Sequence, residues 1–316
     1  MSSRRYCRPG FIRDTPRNPW PSVGTLKIVS TTPNPRLRVA AIDFLNTAPL
    51  MWDFEHPPLS APLALRYQID RISPSECASR LANGKADIGL IPIAALATTP
   101  GLRILPGSTI ASKGRVRSLL LVRRAAQPLA ALRSVAADTA SRTTLAYARI
   151  LFHKWGNPGV PFLPHAADLD AMLQSADAAI LIGDPALLSL EERANRFERS
   201  QEELVYHDLA HEWHTLTGLP FVSAVWCAAH GSPLDESVTD DFNQSRIHGL
   251  QNIDALVDEW SNRLPIPEQT IRSYLTANIH YVLDEECLEG MTGFFRAAAE
   301  LGILPEYTVA VPELVA

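Results

Sequence analysis

Short apolar runs alternate with amphipathic stretches along most of this 316-residue chain. Residues 38–41 are mainly apolar and residues 63–67 combine aliphatic and aromatic positions, so each segment predicts a β-strand. Residues 86–92 form a continuous apolar run, which is typical of a strand that is buried on both faces of a parallel sheet. The pattern therefore indicates an α/β fold.

A helix is predicted between the second and third of these strands. Ser73 is suited to cap its start, Pro74 to occupy its first position, and Glu76 to complete a capping box. The pair Asn83-Gly84 is a typical end signal, because either residue tolerates the left-handed conformation that follows many helices.

The same order of elements recurs further along the chain. A predicted helix over residues 167–175 leads through an Ala-Asp pair into an apolar strand within residues 176–185. An Ala-Asp pair, Ala86-Asp87, also opens the run at residues 86–92. Two such units predict two similar lobes, each a small α/β layer structure.

Two further apolar strands, residues 118–122 and 221–226, are placed to connect the lobes. We therefore predict that lobe 1 comprises residues 36–122 and 226–316, and lobe 2 residues 123–225, with a ligand site in the cleft between them. The chain is predicted to end in helices over residues 253–264, 267–282 and 287–301.

Composition narrows the class of protein. Hydrophobic residues make up 46% of the chain and charged residues 20%, which is ordinary for a globular protein. The net charge of -5, without a long Lys/Arg run, gives no reason to expect nucleic acid as a partner. The first 35 residues are rich in Arg, Pro, Asn and Thr, and we expect residues 1–35 to be a disordered extension or an overlong start.

The four cysteines are widely scattered and form no C-x-x-C pair, which favours a reducing compartment over a disulfide framework. No apolar run approaches the ~18 residues that span a bilayer, so no membrane partner is expected. An Arg pair at Arg4-Arg5 lacks the apolar segment of an export signal. These features predict a cytoplasmic protein.

Polar clusters fall at the predicted strand ends and helix starts. Asn46-Thr47 follows the first strand, where open α/β folds place ligands, although an isolated Asn there would more often be a helix cap. A second cluster contains Ser108, Ser112, Lys113, Arg115, Arg117 and Ser118, and a third contains Ser141, Thr143 and Thr144 before a helix. The fourth, Thr217-Gly218, opens the strand at residues 221–226. Together they suit a small carboxylated ligand, because hydroxyls and helix N-termini bind anions.

A histidine cluster at residues 207–214 resembles a metal site only superficially. On one helix His207 and His211 would share a face, but Asp208 stands where the zinc-protease pattern requires Glu. We therefore predict a partly exposed polar helix and no metal.

In order and spacing, these motifs resemble the chorismate dehydratase family of the futalosine route to menaquinone. The resemblance runs from residues 38 to 307. It rests on Phe44-Leu45-Asn46 with Pro49-Leu50, on Leu105 to Ser108 with Ser112 and Gly114, on Val116-Arg117-Ser118, on Ser141 to Thr144, on Leu181-Ile182-Gly183-Asp184, on Trp213 with Leu216 to Val222, and on Asn278 to Met291.

That resemblance implies a two-lobed, type II periplasmic-binding-protein-like fold with two interlobe crossovers and a central cleft. It implies a cofactor-independent enzyme that removes water from chorismate. Asn46 would act at the reacting centre, by hydrogen bonding and not as the base. The implied substrate-binding residues are Thr47, Ser112, Arg117, Ser118, Ser141, Thr143, Thr144, Gly183 and Asp184. The base could be the enolpyruvyl carboxylate of the substrate itself.

Two alternatives stay open at this point. The later pathway enzyme 1,4-dihydroxy-6-naphthoate synthase has the same fold, but its opening motif of Cys-Pro-Asn-Asp type does not match Phe44-Leu45-Asn46-Thr47. A solute-binding protein could capture a small carboxylate without any chemistry, since a fold does not fix a function. The sequence does not predict the oligomeric state.

Overall fold

The computed structural model describes residues 36–232 and 235–310. The extension predicted for residues 1–35 lies outside this range. In chain order the strands are β1 (Leu37–Ile42), β2 (Tyr67–Ile72), β3 (Ile88–Pro92), β4 (Arg103–Ser112), β5 (Leu119–Arg124), β6 (Val135–Asp138), β7 (Phe162–His165), β8 (Ala178–Ile182), β9 (Leu204–Asp208), β10 (Phe221–Ala228) and β11 (His280–Val282).

The α-helices are α1 (Trp52–Glu55), α2 (Ser60–Leu63), α3 (Pro74–Ala82), α4 (Arg142–Lys154), α5 (Leu169–Ser175), α6 (Asp184–Glu191), α7 (Arg193–Ser200), α8 (Leu209–Thr217), α9 (Glu236–Gln251), α10 (Ile253–Ser261), α11 (Glu268–Ser273) and α12 (Glu285–Glu300). Short 3₁₀-helices occupy Leu45–Met51, Ile93–Ala95 and Leu129–Ala131, and a π-helical turn occupies Tyr274–Asn278.

The strands form two sheets with matching topology. The first has the order β11-β4-β10-β3-β1-β2, and the second the order β7-β6-β8-β5-β9. Three strands run parallel in each sheet, β1, β2 and β3 in the first and β6, β7 and β8 in the second. The strand that arrives from the other lobe, β10 in the first sheet and β5 in the second, pairs antiparallel to them. This arrangement of two α/β lobes with two crossovers is the type II periplasmic-binding-protein-like fold predicted from the sequence.

The predicted repeat is also present in side-chain detail. In the first lobe Asp87, just before β3, accepts hydrogen bonds from the backbone N–H of Arg38 at 2.8 Å and from its guanidinium at 2.8 Å. In the second lobe Asp177, just before β8, accepts from the backbone N–H of Arg133 at 2.8 Å and from its guanidinium at 2.9 Å. The Ala-Asp pair noticed in the sequence therefore fixes the same strand start in both lobes.

The chain changes sheets before β5 and before β10. Strand β5 pairs with β8 and β9 in the second sheet, and β10 pairs with β3 and β4 in the first. The crossovers are therefore residues 113–118 and 218–220. The predicted lobe boundaries at residues 122 and 225 differ from this pairing, because each strand joins a sheet over its whole length instead of bridging the lobes.

Two predicted elements are corrected by the structure. Residues 63–67 are not a strand: α2 ends at Leu63, the side chain of Leu65 is 78% exposed, and β2 begins at Tyr67, where it pairs in parallel with Leu37 of β1. The helix predicted over residues 267–282 ends early, because its last residues instead pair as β11 with the edge of β4. In both places strand pairing overrides the local pattern.

The turn that follows β1 in the first sheet is held in place by the core. The 3₁₀-helix Leu45–Met51 is buried along its whole length and packs against α9. A Cβ atom at Gly249 of α9 would overlap the carbonyl oxygen of Pro49, so only glycine allows this approach. Among the helices in the described parts of the chain, none combines the length and apolar character needed to cross a membrane.

Candidate active site

A narrow cavity lies between the two sheets, with about 480 Å³ of space outside the protein atoms when the solvent at its mouth is included. It opens at the carboxyl ends of the parallel strands, which is where open α/β sheets bind ligands. The lining residues are Ile42, Phe44, Asn46, Pro74, Pro92, Ile110, Ala111, Val116, Ser118, Leu119, Ser141, Ile182, Gly183, Phe221, Ser223 and Ala224.

Asn46 lies in the 3₁₀-helix directly after β1, and its side chain reaches the cavity. The residue is 9% exposed, and its Oδ1 accepts a hydrogen bond from the Thr47 hydroxyl at 3.3 Å. Thr47 is fully buried and does not line the cavity. The N-cap of this helix is Phe44, so the helix-cap interpretation of Asn46 does not apply. Its amide is therefore free to face a ligand.

Ser141 supplies a helix N-terminus to the cavity. It is the N-cap of α4, and its hydroxyl accepts from the N–H of Thr144 at 3.4 Å. Thr143 is engaged elsewhere, because its hydroxyl accepts from the N–H of Ala94 in the first lobe at 2.9 Å. The Thr144 hydroxyl is buried without a partner among the described residues. The N–H groups of the first turn of α4 carry the positive end of the helix dipole, which favours an anion.

Ser118 and Gly183 meet at the end of the second sheet. The N–H of Gly183 donates to the carbonyl oxygen of Ser118 at 2.7 Å, and both residues line the cavity. Ser223, on β10, also lines it. Sequence analysis missed Ser223 because it stands inside an apolar strand, where a single hydroxyl gives no motif.

Asp184 links the two lobes. Its carboxylate, at the start of α6, accepts from the backbone N–H of Leu45, the residue before Asn46, at 3.1 Å. Beside it, Gly183 has φ +71°, and a Cβ there would lie 2.7 Å from the Phe44 ring. Burial raises the pKa of Asp184 to about 6, and the neighbouring charge of Asp43 adds to the rise. Asp184 thus holds the Asn46 turn without lining the cavity itself.

The cations of the second polar cluster point away from the cavity. The guanidinium of Arg117 pairs with Glu191, and its backbone N–H donates to Asp208 at 2.7 Å. Lys113 pairs with Asp284 and Glu286. None of the lining residues in the described parts of the chain is charged. Arg117 therefore has its charge balanced by a carboxylate outside the cavity.

The other predicted site residues have structural partners. The hydroxyl of Ser112 donates to the carbonyl oxygen of Gly114 at 3.2 Å, within the crossover turn. His207 lies on β9 and bonds Glu212 at 3.1 Å, while His211 lies on α8, so the two histidines do not share a helix face. Asp208 is the N-cap of α8.

Among the described residues, three potential metal ligands lie together: His280, Asp284 and Cys287. Asp284 already has three partners there: His280 at 2.8 Å, Lys113 at 2.8 Å and, as N-cap of α12, the N–H of Cys287 at 2.9 Å. A cation would have to displace the Lys113 ammonium. This group does not line the cavity.

The fold and the cavity define a two-lobed, periplasmic-binding-protein-like protein with a polar cleft. The chain belongs to the family whose model is described as menaquinone biosynthesis, and the match covers residues 37–300. A curated relative, the chorismate dehydratase of Thermus thermophilus, is 27% identical over 232 residues, which cover 71% of this chain and 84% of that protein. The family resemblance found in the sequence is thereby confirmed.

Solved structures support the fold alone. A protein of Archaeoglobus fulgidus superposes with a TM-score of 0.63 at 14% identity, covering 85% of this chain and 98% of that one. A Candida albicans gene product with the generic periplasmic-binding-protein fold gives 0.62 at 14% identity, covering 87% and 92%. The alkanesulfonate-binding protein SsuA of Xanthomonas axonopodis pv. citri, bound to MOPS, gives 0.60 at 17% identity, covering 85% and 94%.

We predict that Asp184 makes stability fall as the pH rises. Its folded pKa of about 6 lies above that of an unfolded Asp, so the protonated carboxyl favours folding, and this contribution is lost as the pH rises through 6. Asp184→Asn keeps an acceptor for the Leu45 N–H without the charge. The unfolding free energy of the variant minus that of the parent protein should therefore increase by on the order of 1–3 kcal/mol between about pH 4 and about pH 7.5.

Denaturant unfolding at both pH values measures this difference. Asp87→Asn is the matched control, because hydrogen bonds from Arg38 lower the pKa of Asp87. That variant should be less stable than the parent protein by a nearly constant amount at both pH values, because the lowered pKa of Asp87 places its titration below about pH 4. A pH-independent difference for Asp184→Asn would contradict the prediction.

Proposed function

We propose that this protein is a chorismate dehydratase. It would be a cofactor-independent hydro-lyase that converts chorismate to 3-(1-carboxyvinyloxy)benzoate and water in menaquinone biosynthesis. Membership of the menaquinone biosynthesis family and the similarity to the Thermus thermophilus enzyme support this proposal.

The observation that carries the proposal is the chemistry of the cavity wall. It presents one amide, Asn46, and three hydroxyls, Ser118, Ser141 and Ser223, among apolar and aromatic side chains. No lining residue in the described parts of the chain has a side chain that titrates near neutral pH. Such a wall suits a reaction that is driven by the substrate, with the protein contributing position and hydrogen bonds.

Dehydration of chorismate has this character. The C3 proton is removed, a C3–C4 double bond forms, and the C4 hydroxyl leaves with a proton as water, so that the ring becomes aromatic. Asn46 would hydrogen-bond near the departing hydroxyl. An amide is not a base at neutral pH. The enolpyruvyl carboxylate of the substrate, held beside C3, would therefore take the C3 proton and pass it to the departing hydroxyl, which leaves as water.

The cavity offers uncharged hydrogen-bond donors for the carboxylates of the substrate. The first turn of α4, capped by Ser141, offers backbone N–H groups, and Ser118 offers a hydroxyl on the adjoining wall. Interactions of this kind bind carboxylates without a formal positive charge. Thr47, Ser112, Thr143 and Asp184 would then support the site by holding its turns, through the contacts described above.

The compartment is part of the proposal. Cys77, Cys227 and Cys287 are buried, free thiols. Free thiols are the ordinary state of cysteine in a reducing compartment. We accordingly propose that the enzyme works in the cytoplasm.

Incubation with chorismate, followed by proton NMR, tests the function. New aromatic signals with a retained enolpyruvyl group would establish the dehydratase. Chorismate that binds, by calorimetry, but stays unchanged would support a solute-binding protein instead. If chorismate neither binds nor reacts, the next substrates to test are others of the pathway, including that of 1,4-dihydroxy-6-naphthoate synthase.

Replacing Asn46 should impair turnover far more than binding. We expect Asn46→Ala to lower kcat by about 100-fold or more, the range seen when a donor to a reacting oxygen is removed, with a small change in KM. Steady-state kinetics on chorismate measure both constants. Asn262→Ala is the matched control, since Asn262 is exposed at the end of α10. Turnover retained in Asn46→Ala would exclude the assigned role.

Replacing Ser141 should mainly raise KM. Ser141→Ala removes a hydroxyl from the cavity and a helix cap, and the lost cap alone costs about 1 kcal/mol of stability. Asp168→Ala separates the two effects, because Asp168 caps α5 through the N–H of Ala171 and does not line the cavity. We expect similar losses of melting temperature but a raised KM only for Ser141→Ala. An unchanged KM would place the carboxylate site elsewhere.

A further inference from the structure

Tyr274 stands directly behind the cavity wall. Its ring is fully buried, and its hydroxyl donates a hydrogen bond to Ser118 Oγ at 2.9 Å. The side chain of Asn46 lies near the same hydroxyl. The phenol therefore hydrogen-bonds one of the four polar side chains that line the cavity and lies near a second, although Tyr274 itself does not line it.

The backbone at Tyr274 departs from a regular helix. Helix α11 ends at Ser273, and Tyr274–Asn278 form a π-helical turn in which the N–H of Ile279 donates to the carbonyl oxygen of Tyr274 at 3.2 Å. The amide of Asn278 donates to the carbonyl oxygen of Arg115 at 3.0 Å, which ties the turn to the first crossover. Such turns are rare and occur frequently at functional sites.

The hydrogen bond fixes the direction of the Ser118 proton. A serine hydroxyl has one proton and rotates freely about its C–O bond unless a partner holds it. Because Ser118 Oγ accepts from Tyr274, its own proton points away from that partner. Among the described residues Ser118 Oγ has no acceptor for this proton. The proton is therefore available to an oxygen atom of a ligand in the cavity.

The Tyr274 hydroxyl remains protonated at any pH at which the protein is used. Burial raises its pKa above the ordinary tyrosine value, and the charges of Asp184 and Asp208 add to the rise. It can therefore donate to Ser118. This bond gives the Ser118 hydroxyl a single orientation.

We propose that Tyr274 is a positioning residue for the dehydration, which orients the Ser118 hydroxyl toward the substrate. This inference rests on the proposed function and adds a residue that acts through another. It predicts that the hydroxyl of Tyr274 matters for turnover, whereas its ring matters for packing.

Tyr281 provides a matched control within the same segment. It is buried close to Tyr274, and its hydroxyl has no hydrogen-bond partner among the described residues. Tyr281→Phe and Tyr274→Phe therefore remove the same atom from neighbouring buried rings. Only the second removes a hydrogen bond to the cavity wall.

The experiment is a double-mutant cycle of Tyr274→Phe with Ser118→Ala, measured by steady-state kinetics on chorismate and by thermal melting. We expect Tyr274→Phe to lower kcat by about tenfold, the equivalent of one neutral hydrogen bond, with KM changed less than about twofold. In the Ser118→Ala background the same substitution should lower kcat much less, since its main target is gone. Tyr281→Phe should match the parent protein.

Each other outcome is decisive. A Tyr274→Phe variant as active as Tyr281→Phe overturns the inference, and so does an equal loss of kcat with and without Ser118. If Tyr274→Phe does not fold, 3-fluorotyrosine at position 274 keeps the ring and alters the donor: kcat must then change at constant melting temperature, and an unchanged kcat overturns the inference. Failure of the parent protein to dehydrate chorismate would instead refute the proposed function.

Discussion

The site depends on one close contact between two turns, each at the carboxyl end of a buried strand. Phe44 packs against Gly183, where a Cβ would lie 2.7 Å from the ring, and Asp184 accepts the N–H of Leu45 at 3.1 Å. The contact brings Asn46 of one lobe against the polar end of the other. It requires glycine for two reasons, since Gly183 also has φ +71°. A side chain at this position would press on the Phe44 ring and strain the backbone.

Two charged pairs in the sheets lie away from that contact. The paired Arg38–Asp87 and Arg133–Asp177 interactions stand at the amino ends of the strands, at the side of each sheet opposite the cavity. They fix strand starts, while the carboxyl ends are left to Asn, Ser and Gly. Additional bonds between the lobes, from Ala94 to Thr143 and from Ser75 to the carbonyl oxygen of Ala140, use neutral groups. Carboxylates also take part, since Glu191 accepts from the Thr270 hydroxyl at 3.2 Å and Asp184 accepts from Leu45. The raised pKa of Asp184 reflects the cost of a carboxylate at a buried junction.

Sequence analysis identified the site residues that stand at predicted strand ends and helix starts. It missed those whose place in the site depends on contacts between distant parts of the chain. Asn46, Ser118, Ser141 and Gly183 could be identified because each follows a predicted strand or opens a predicted helix, and all four line the cavity. Arg117 was a candidate from its place beside Ser118, but its positive φ of 66° and its pairing with Glu191 depend on an element far along the chain. Tyr274 lies in a segment whose periodicity predicts an uninterrupted helix. Its π-helical turn becomes visible only when β11 pairs with β4.

The neutral cavity wall has a chemical consequence under the proposed function. A guanidinium paired with the enolpyruvyl carboxylate would favour its ionised form and lower its pKa by about 1–3 units, which would weaken it as a base. Hydroxyls and helix N–H groups hold a carboxylate in place with a smaller electrostatic penalty on proton transfer. Arg117 and Lys113 instead form ion pairs outside the cavity, with Glu191 and Asp284 respectively. Under the proposed function, the cavity would thus supply position and dipoles and leave the reactive charge to the substrate.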